Sequence, residues 1–171
     1  MSLSAHRRQS RRQIAGYALL EALVAVIVTS IGFIGAARLQ TMGLGFTNSS
    51  LYRQKATLLG SQMTDRMRAN QKGVALGNYN NPVPGDTACL ASATGCTTPA
   101  QLAAADMTEW AADVAAQLPG GRGVVCFDDT PNDADATPDD PLCEGAGPLL
   151  AVTVWWSDSL GTSRFVTVVR P

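Results

Sequence analysis

Histidine and charge are scarce in this chain, and their scarcity argues against several kinds of chemistry. Only 16% of the 171 residues are charged, and the single histidine, His6, lies near the N-terminus. No G-x-S-x-G motif and no phosphate-binding glycine loop is present, and no acid is paired with a base in an evident site. We therefore expect no enzymatic activity, no catalytic residues and no cofactor.

Basic residues are concentrated at the N-terminus. Four of the 13 lysines and arginines lie within the first 12 residues, where none of the 14 acidic residues occurs. The chain after residue 16 therefore carries nine basic and 14 acidic residues, a net charge of −5. An acidic domain without basic clusters is poorly suited to phosphate backbones, which predicts no direct binding of nucleic acid.

An apolar run of 21 residues, 17–37, follows the basic segment. As a helix it is about 32 Å long, enough to cross a bilayer. The arginines before it favour a cytoplasmic N-terminus and a translocated C-terminal part. One carboxylate, Glu21, interrupts the run. A charged side chain in hydrocarbon costs at least a few kcal/mol, so an intramembrane acid indicates a function and needs a partner of opposite charge.

The residues around Glu21 resemble a known processing signal. A basic leader, Gly16, Tyr17, the residues Ala-Leu-Leu and then Glu21 are similar to the prepilin signal of type IV pilins and type II secretion pseudopilins. Tyr17 replaces the more common Phe, and Ala18 replaces Thr or Ser. The resemblance implies that a prepilin peptidase cuts between Gly16 and Tyr17 and that Tyr17 is N-methylated. The new amine would lie one helical turn from Glu21 and would neutralise it or the Glu21 of a neighbouring subunit.

A second set of segments narrows the resemblance. The stretch SLYRQKATLLGSQMTDRMRAN (50–70), the NYNNPVPG loop and a late helix ending in Leu-Pro-Gly-Gly are similar to minor pilins of the type IV pilus modification family, PilV. This implies a structural protein of pilus assembly, held in the inner membrane with its C-terminal domain in the periplasm and later exposed on the pilus. The implied partners are prepilin peptidase, other minor pilins, the major pilin and a tip adhesin.

The sequence divides into a leader (1–16), an apolar helix (17–40) and a globular domain (41–171). The helix is predicted to continue to about residue 70, where apolar residues recur on one face at helical spacing. Four glycines (Gly32, Gly35, Gly43, Gly45) make the middle of this helix its expected weak point. In pilins such a region is thought to melt on assembly.

The globular domain is predicted to add one more long helix and a small sheet. Thr98, Pro99 and Gln101 form a capping box with proline at the first helical position, and the helix ends before Pro119. An apolar stripe on this helix is predicted to pack in the core: Met107, Trp110, Val114 and Leu118. Three strands are predicted at Gly123–Phe127, Leu149–Ser157 and Arg164–Val169, with a turn at 158–163. A long helix on an antiparallel meander is an α+β fold, and it agrees with the pilin fold that the resemblance implies.

All four cysteines lie in the translocated part, where a periplasm favours disulfides. Four cysteines allow three pairings. We favour Cys89 with Cys96 and Cys126 with Cys143, because each pair closes a short loop rich in turn residues. Free buried thiols are the alternative, and a zinc site is disfavoured by the missing histidines and by the spacing.

An acidic loop between the first two strands is a weak candidate for calcium. Its carboxylates include Asp129, Asp133, Asp135 and Asp139, and Ca²⁺ takes six to eight oxygen ligands. The EF-hand register fails, because Thr137 and Pro138 occupy the fifth and sixth places counted from Asp133. A solvated loop bounded by a disulfide is the default, so no metal is expected.

Three other functions share parts of this pattern. A minor pseudopilin of type II secretion differs in whether deletion removes secretion or piliation. A membrane-anchored periplasmic binding or sensor domain would keep its N-terminus. A secreted protein cut after the small residues at 35–37 would begin at Arg38. The mature N-terminus therefore separates a pilin from the last two.

Overall fold

The computed structural model describes residues 11–83, 85, 87–158 and 161–171. The predicted leader therefore lies largely outside the described residues. Within these residues four helices and three strands follow one another: α1 (Arg11–Ala69), α2 (Gln71–Ala75), α3 (Ala88–Ala91), α4 (Pro99–Gln117), β1 (Arg122–Phe127), β2 (Leu150–Asp158) and β3 (Gly161–Val169). The fold is α+β, as the sequence predicts.

The chain forms two compact units, which meet in sequence between Phe46 and Thr47. The described residues of the first unit, 11–46, all belong to α1. These residues remain helical through Gly32, Gly35 and Gly43, and a Cβ added at any of the three would meet nothing within 4 Å. The predicted weakness of this stretch in an assembled filament stays a prediction.

The second unit holds the hydrophobic core. The predicted stripe on α1 is confirmed, since Ala56, Leu59, Met63 and Met67 are fully buried and Tyr52 packs at the edge of the core. At Gly60 the helix approaches β3 closely, because a Cβ there would lie 2.7 Å from the ring of Phe165. Apolar side chains of β1 and β2 complete this core: Val125, Leu150, Val152, Val154 and Trp156.

α4 has the ends that its sequence predicts. Thr98 Oγ1 accepts a hydrogen bond from the backbone N–H of Gln101, and the side chain of Gln101 accepts one from the N–H of Thr98. This capping box satisfies donors that the first helical turn leaves unpaired. The predicted apolar stripe is buried: Met107, Trp110, Val114 and Leu118.

The sheet is an antiparallel meander in the order β1-β2-β3. Its last turn is tighter than predicted. Asp158 pairs with Gly161, so Thr162 and Ser163 belong to β3 instead of to a turn at 158–163. Backbone pairing extended past the apolar residues that marked the strand, because polar side chains do not prevent a ladder from continuing.

The 22-residue connection 128–149 lies over the face of the sheet that points away from the helices, where Ala136 and Pro138 line a cavity with Trp155 and Asp139 pairs with Arg122. Residues of β2 on that face are buried, with Thr153 7% and Trp155 2% exposed. Side chains of β2 are therefore enclosed on both faces, which explains its nearly unbroken apolar sequence. The favoured disulfide pairing is present: Cys126 bonds to Cys143 and Cys89 to Cys96. The first of these ties the connection to β1.

Candidate functional site

The helical residues from Tyr17 to Phe46 expose a continuous apolar surface. Their large apolar side chains are all solvent-accessible, for example Leu23 at 60%, Ile31 at 66% and Phe33 at 71%. Such a surface is far larger than the scattered apolar residues that soluble monomers expose. Among the described residues, this helix alone is long and apolar enough to cross a membrane, with a mean hydropathy of 2.2 over its most apolar 18 residues.

Glu21 lies on this surface one helical turn after Tyr17. Both side chains are exposed, and the spacing of four residues places them on one face with Cβ atoms about 6 Å apart. Glu21 is the one acidic residue before Asp65 in the sequence. No ion pair to it is formed by the part of the chain that the structure describes.

Two hydroxyl groups of the same helix need no external partner. Thr29 Oγ1 donates to the carbonyl of Ala25 at 2.6 Å, and Ser30 Oγ donates to the carbonyl of Val26 at 2.7 Å. Hydroxyls bonded back to the preceding turn are tolerated in apolar surroundings because their donors are satisfied. The carboxylate of Glu21, the one charged group within residues 17–37, has no hydrogen bond of this kind, so it requires a partner.

Gly16 and Tyr17 are consecutive residues of α1, so the predicted cleavage point precedes the exposed apolar surface directly. The cut, the N-methylation of Tyr17 and the neutralisation of Glu21 stay predictions. Together with the carboxylate, these positions form the candidate functional site: Gly16, Tyr17 and Glu21.

Sequence reasoning did not find a polar cluster inside the second unit. Tyr79 Oη donates to Asp106 Oδ2 at 2.6 Å, and both residues are buried. Arg66 donates to Asp106 Oδ1 at 3.1 Å and to Glu109 Oε2 at 2.9 Å. Burial, together with the hydrogen bond to Asp106, raises the pKa of Tyr79 above its usual range, so the phenol stays neutral and donates.

Asn70 links this cluster to the loop after α1. Its amide nitrogen donates to the carbonyl of Pro99 at 2.9 Å and to Tyr79 Oη at 3.3 Å, while its oxygen caps α2 at the N–H of Gly73. Every polar group of the cluster has a partner within the unit, and its carboxylate is paired with a guanidinium. The arrangement therefore fastens α1, α2 and α4 together. The only signal in the sequence was an aspartate beside the apolar stripe of α4.

Two carboxylates of the acidic loop have partners within the protein. Asp139 forms an ion pair with Arg122, and Asp133 accepts a hydrogen bond from Thr130 Oγ1 at 3.1 Å. The ranges covered by the structure contain no group of three or more His, Cys, Asp or Glu side chains that could hold a metal ion. The weak calcium role suggested for Asp129, Asp133, Asp135 and Asp139 stays a prediction.

Asp128, which directly follows β1, is a buried acid with a raised pKa. Its side chain is buried, its Oδ1 accepts from the N–H of Thr130 at 2.8 Å, and it lies against Glu144. Burial and the nearby Glu144 carboxylate raise the pKa of Asp128 to about 6. Hydrogen bonds from the Thr130 hydroxyl and from the backbone lower the pKa of Glu144. Asp128 therefore holds the shared proton.

We expect Asp128→Asn to stabilise the second unit above pH 6. Between about pH 4 and 6 the folded chain keeps a proton that the unfolded chain has released, so this group favours folding at low pH and loses that contribution as pH rises through 6. A shift of about two pKa units corresponds to at most about 3 kcal/mol, part of which the lowered pKa of Glu144 offsets. Thermal unfolding at pH 4 and pH 7 measures the difference.

The matched control is Asp135→Asn, which removes the same charge from an exposed position of the same loop. It should change the unfolding temperature little at either pH. A pH dependence of Asp128→Asn identical to that of the parent chain would show that Asp128 does not carry the proton.

Comparisons with known proteins identify no relative: no protein-family model, no curated protein and no solved structure matches this chain. The fold is α+β, and one N-terminal helix is able to span a membrane. The function must therefore be inferred from the chemistry of its own residues, above all from the lone carboxylate on the exposed apolar helix.

Proposed function

We propose that this chain is a minor pilin that is cut after Gly16 by a prepilin peptidase and takes part in assembling a type IV pilus. The observation that carries the proposal is Glu21, a single acid on an exposed apolar helix, one turn from Tyr17. Soluble monomers rarely expose an apolar surface of this size. A helix that serves only as a membrane anchor gains nothing from an acid, which is costly to place in hydrocarbon.

Cleavage supplies the partner that the carboxylate lacks. Hydrolysis of the bond between Gly16 and Tyr17 leaves a carboxylate on Gly16 and an α-amine on Tyr17. Such amines have a pKa near 8 and are protonated at neutral pH. N-methylation keeps that charge. The ammonium of Tyr17 then neutralises Glu21 in the same chain or in a neighbouring subunit, and the apolar helix can pack among other pilin helices.

The second unit suits a subunit that works outside the cytoplasm. Its core combines a helix face with a three-stranded sheet. Both disulfides, Cys89–Cys96 and Cys126–Cys143, lie in this unit. Disulfides of this kind persist in oxidising compartments such as a periplasm. The proposed route is therefore insertion in the inner membrane with the second unit in the periplasm, followed by incorporation with other minor pilins and the major pilin.

The mature N-terminus tests this proposal. We expect mass spectrometry of the chain purified from its native membrane to return N-methylated Tyr17 as the first residue. Gly16→Val should leave the leader attached, because the peptidase requires a small residue before the cut. Gly35→Val, which places the same side chain in the same helix where there is open space, should be processed normally.

Other termini would assign other functions. A chain beginning at Arg38 would be a secreted protein, and an uncut chain would be an anchored periplasmic domain, so either result contradicts the proposal. Deletion should abolish or reduce piliation and leave type II secretion intact. Loss of secretion with normal piliation would assign the chain to the secretion machine instead.

A further inference from the structure

β3 is a long edge strand without the usual protection. Its nine residues pair one to one with β2, from Gly161 opposite Asp158 to Val169 opposite Leu150, with no bulge. It contains no proline, no lysine and one charged residue, Arg164. Edge strands normally avoid further pairing by being short, bulged, or supplied with proline and charges. β3 therefore keeps the geometry that accepts another strand.

The opposite edge of the sheet is closed. The carbonyl of Val125 accepts from the N–H of Asn81 at 2.7 Å. The N–H of Phe127 donates to Asn80 Oδ1, and its carbonyl accepts from the N–H of Gly145, each at 3.0 Å. Among the described residues, by contrast, none outside β2 forms a hydrogen bond with the backbone of β3.

The register shows which backbone groups of β3 point outward. The carbonyl of Val125 bonds to Asn81 and therefore points away from β2. Val125 and its partner Val152 are thus a non-hydrogen-bonded pair, and the backbone N–H and C=O of Val152 point towards β3. Alternation along the antiparallel ladder then directs the N–H and C=O of every second residue of β3 to the open edge. These residues are Thr162, Arg164, Val166 and Val168.

A cavity lies beside this edge on the face covered by the acidic connection. It has a volume of about 260 Å³ and is lined by Ala136, Pro138, Trp155, Thr162 and Arg164 among others. The indole N–H of Trp155 is buried and has no hydrogen-bond partner within the described part of the chain. The space suits one side chain of an added strand.

The charge of β3 itself, carried by Arg164, favours an acidic occupant. Arg122 and Arg164 flank Trp155 on neighbouring strands, and Arg122 is paired with Asp139. Arg164 forms no ion pair with any residue that the structure describes. Residues 161–171 contain two arginines and no acid. β3 of a second copy would therefore offer no carboxylate to Arg164.

We propose that the open edge of β3 binds an extended, acidic segment of a partner protein by strand addition, with a carboxylate of that segment on Arg164. Backbone hydrogen bonds to the outward-facing residues supply the affinity, and the side chain entering the cavity supplies the selectivity. Arg–carboxylate hydrogen bonds are stronger than neutral ones and favour this register. The proposal concerns the second unit and does not depend on the chain being a pilin.

The test uses the full-length chain in a neutral detergent, with both disulfides intact. The probe is a fluorescent synthetic peptide of about nine residues that alternates Val and Thr and has Glu at its centre, beside a twin with Lys in place of Glu. We expect the Glu peptide to bind about tenfold more tightly than its twin. Binding should slow hydrogen exchange at the outward-facing amides of β3, which a loose electrostatic contact would not do.

Two variants separate the backbone from the charge. Val166→Pro removes an outward N–H and leaves the ladder to β2 intact. It should therefore lower the affinity for the Glu peptide at least about tenfold, whereas the control Val166→Thr should leave that affinity unchanged. Arg164→Glu should reverse the preference between the two peptides. Arg164→Glu leaves the backbone unchanged, so it tests the contact between Arg164 and the carboxylate even where the proline variant fails to fold.

Three results of the peptide experiments would overturn the proposal: equal affinity for the two peptides, unchanged binding by a folded Val166→Pro variant, or exchange protection outside β3. A parent chain that dimerises in sedimentation experiments, and whose dimer Val166→Pro dissociates, would assign the edge to a second copy and would equally refute an acidic partner.

Discussion

Glu21→Ala is expected to leave the protein in the membrane and to lower its incorporation into filaments at least about tenfold. The substitution removes a carboxylate from an exposed apolar helix, so insertion becomes easier. It also removes the proposed partner of the Tyr17 ammonium, which would then be buried among apolar helices without a counter-charge. An unpaired buried charge costs several kcal/mol, and each 1.4 kcal/mol is a factor of ten in assembly.

The measurement is the ratio of this protein in sheared filaments to that in membranes, together with its co-purification with other pilins. Glu21→Gln, which keeps the shape and removes the charge, should behave like Glu21→Ala. Thr29→Ala is the matched control, because its hydroxyl is satisfied by the carbonyl of Ala25 and its loss should not alter assembly. Normal co-purification of the Glu21 variants would refute the role of this carboxylate.

Trp110→Ala is expected to lower the free energy of unfolding of the second unit by about 4 kcal/mol. Trp110 is fully buried on α4, and its indole N–H donates to the carbonyl of Leu59 on α1 at 2.8 Å. Its ring also lies over Gly123 of β1, where a Cβ would overlap it. One side chain thus joins two helices and the sheet. Denaturant unfolding followed by the fluorescence of Trp155 and Trp156 gives the change.

A double-mutant cycle makes this prediction specific. Gly123→Val should destabilise the parent chain, because the valine overlaps the Trp110 ring. In the Trp110→Ala background the same valine enters the space left by the indole, so it should be neutral or stabilising. A coupling of at least about 1 kcal/mol with this change of sign is expected. Additive effects would show that the two positions are not in contact.

Much of the second unit was predictable because short-range rules decide it. Residues within a few helical turns of one another determine three of its features: the capping box of α4, the apolar stripe of α4 and the stripe on α1. The strand pattern of β2 and the short disulfide loops are similarly local. All of these predictions are confirmed. The boundary between β2 and β3 was wrong, because pairing with an opposite strand extended a ladder through residues that resemble a turn.

The candidate site was also visible in the sequence, since a lone acid in an apolar run needs no tertiary contact to be noticed. The clusters that depend on distant residues were not visible. Asp106 is separated by 27 residues from Tyr79 and by 40 from Arg66, and nothing in the spacing reveals that they meet. The burial of Asp128 beside Glu144 and the open edge of β3 were hidden for the same reason.

By itself, the sequence determined an apolar helix with one carboxylate, a second capped helix, a three-stranded antiparallel region and two short disulfide loops. These follow from periodicity, capping and turn chemistry, which act between neighbours in the chain. Only the tertiary structure decided that residues 128–149 cover the second face of the sheet, that Asp128 is buried and that one sheet edge is closed while the other is open. Burial and strand-edge pairing depend on which distant segments meet, and that is a property of the packed chain.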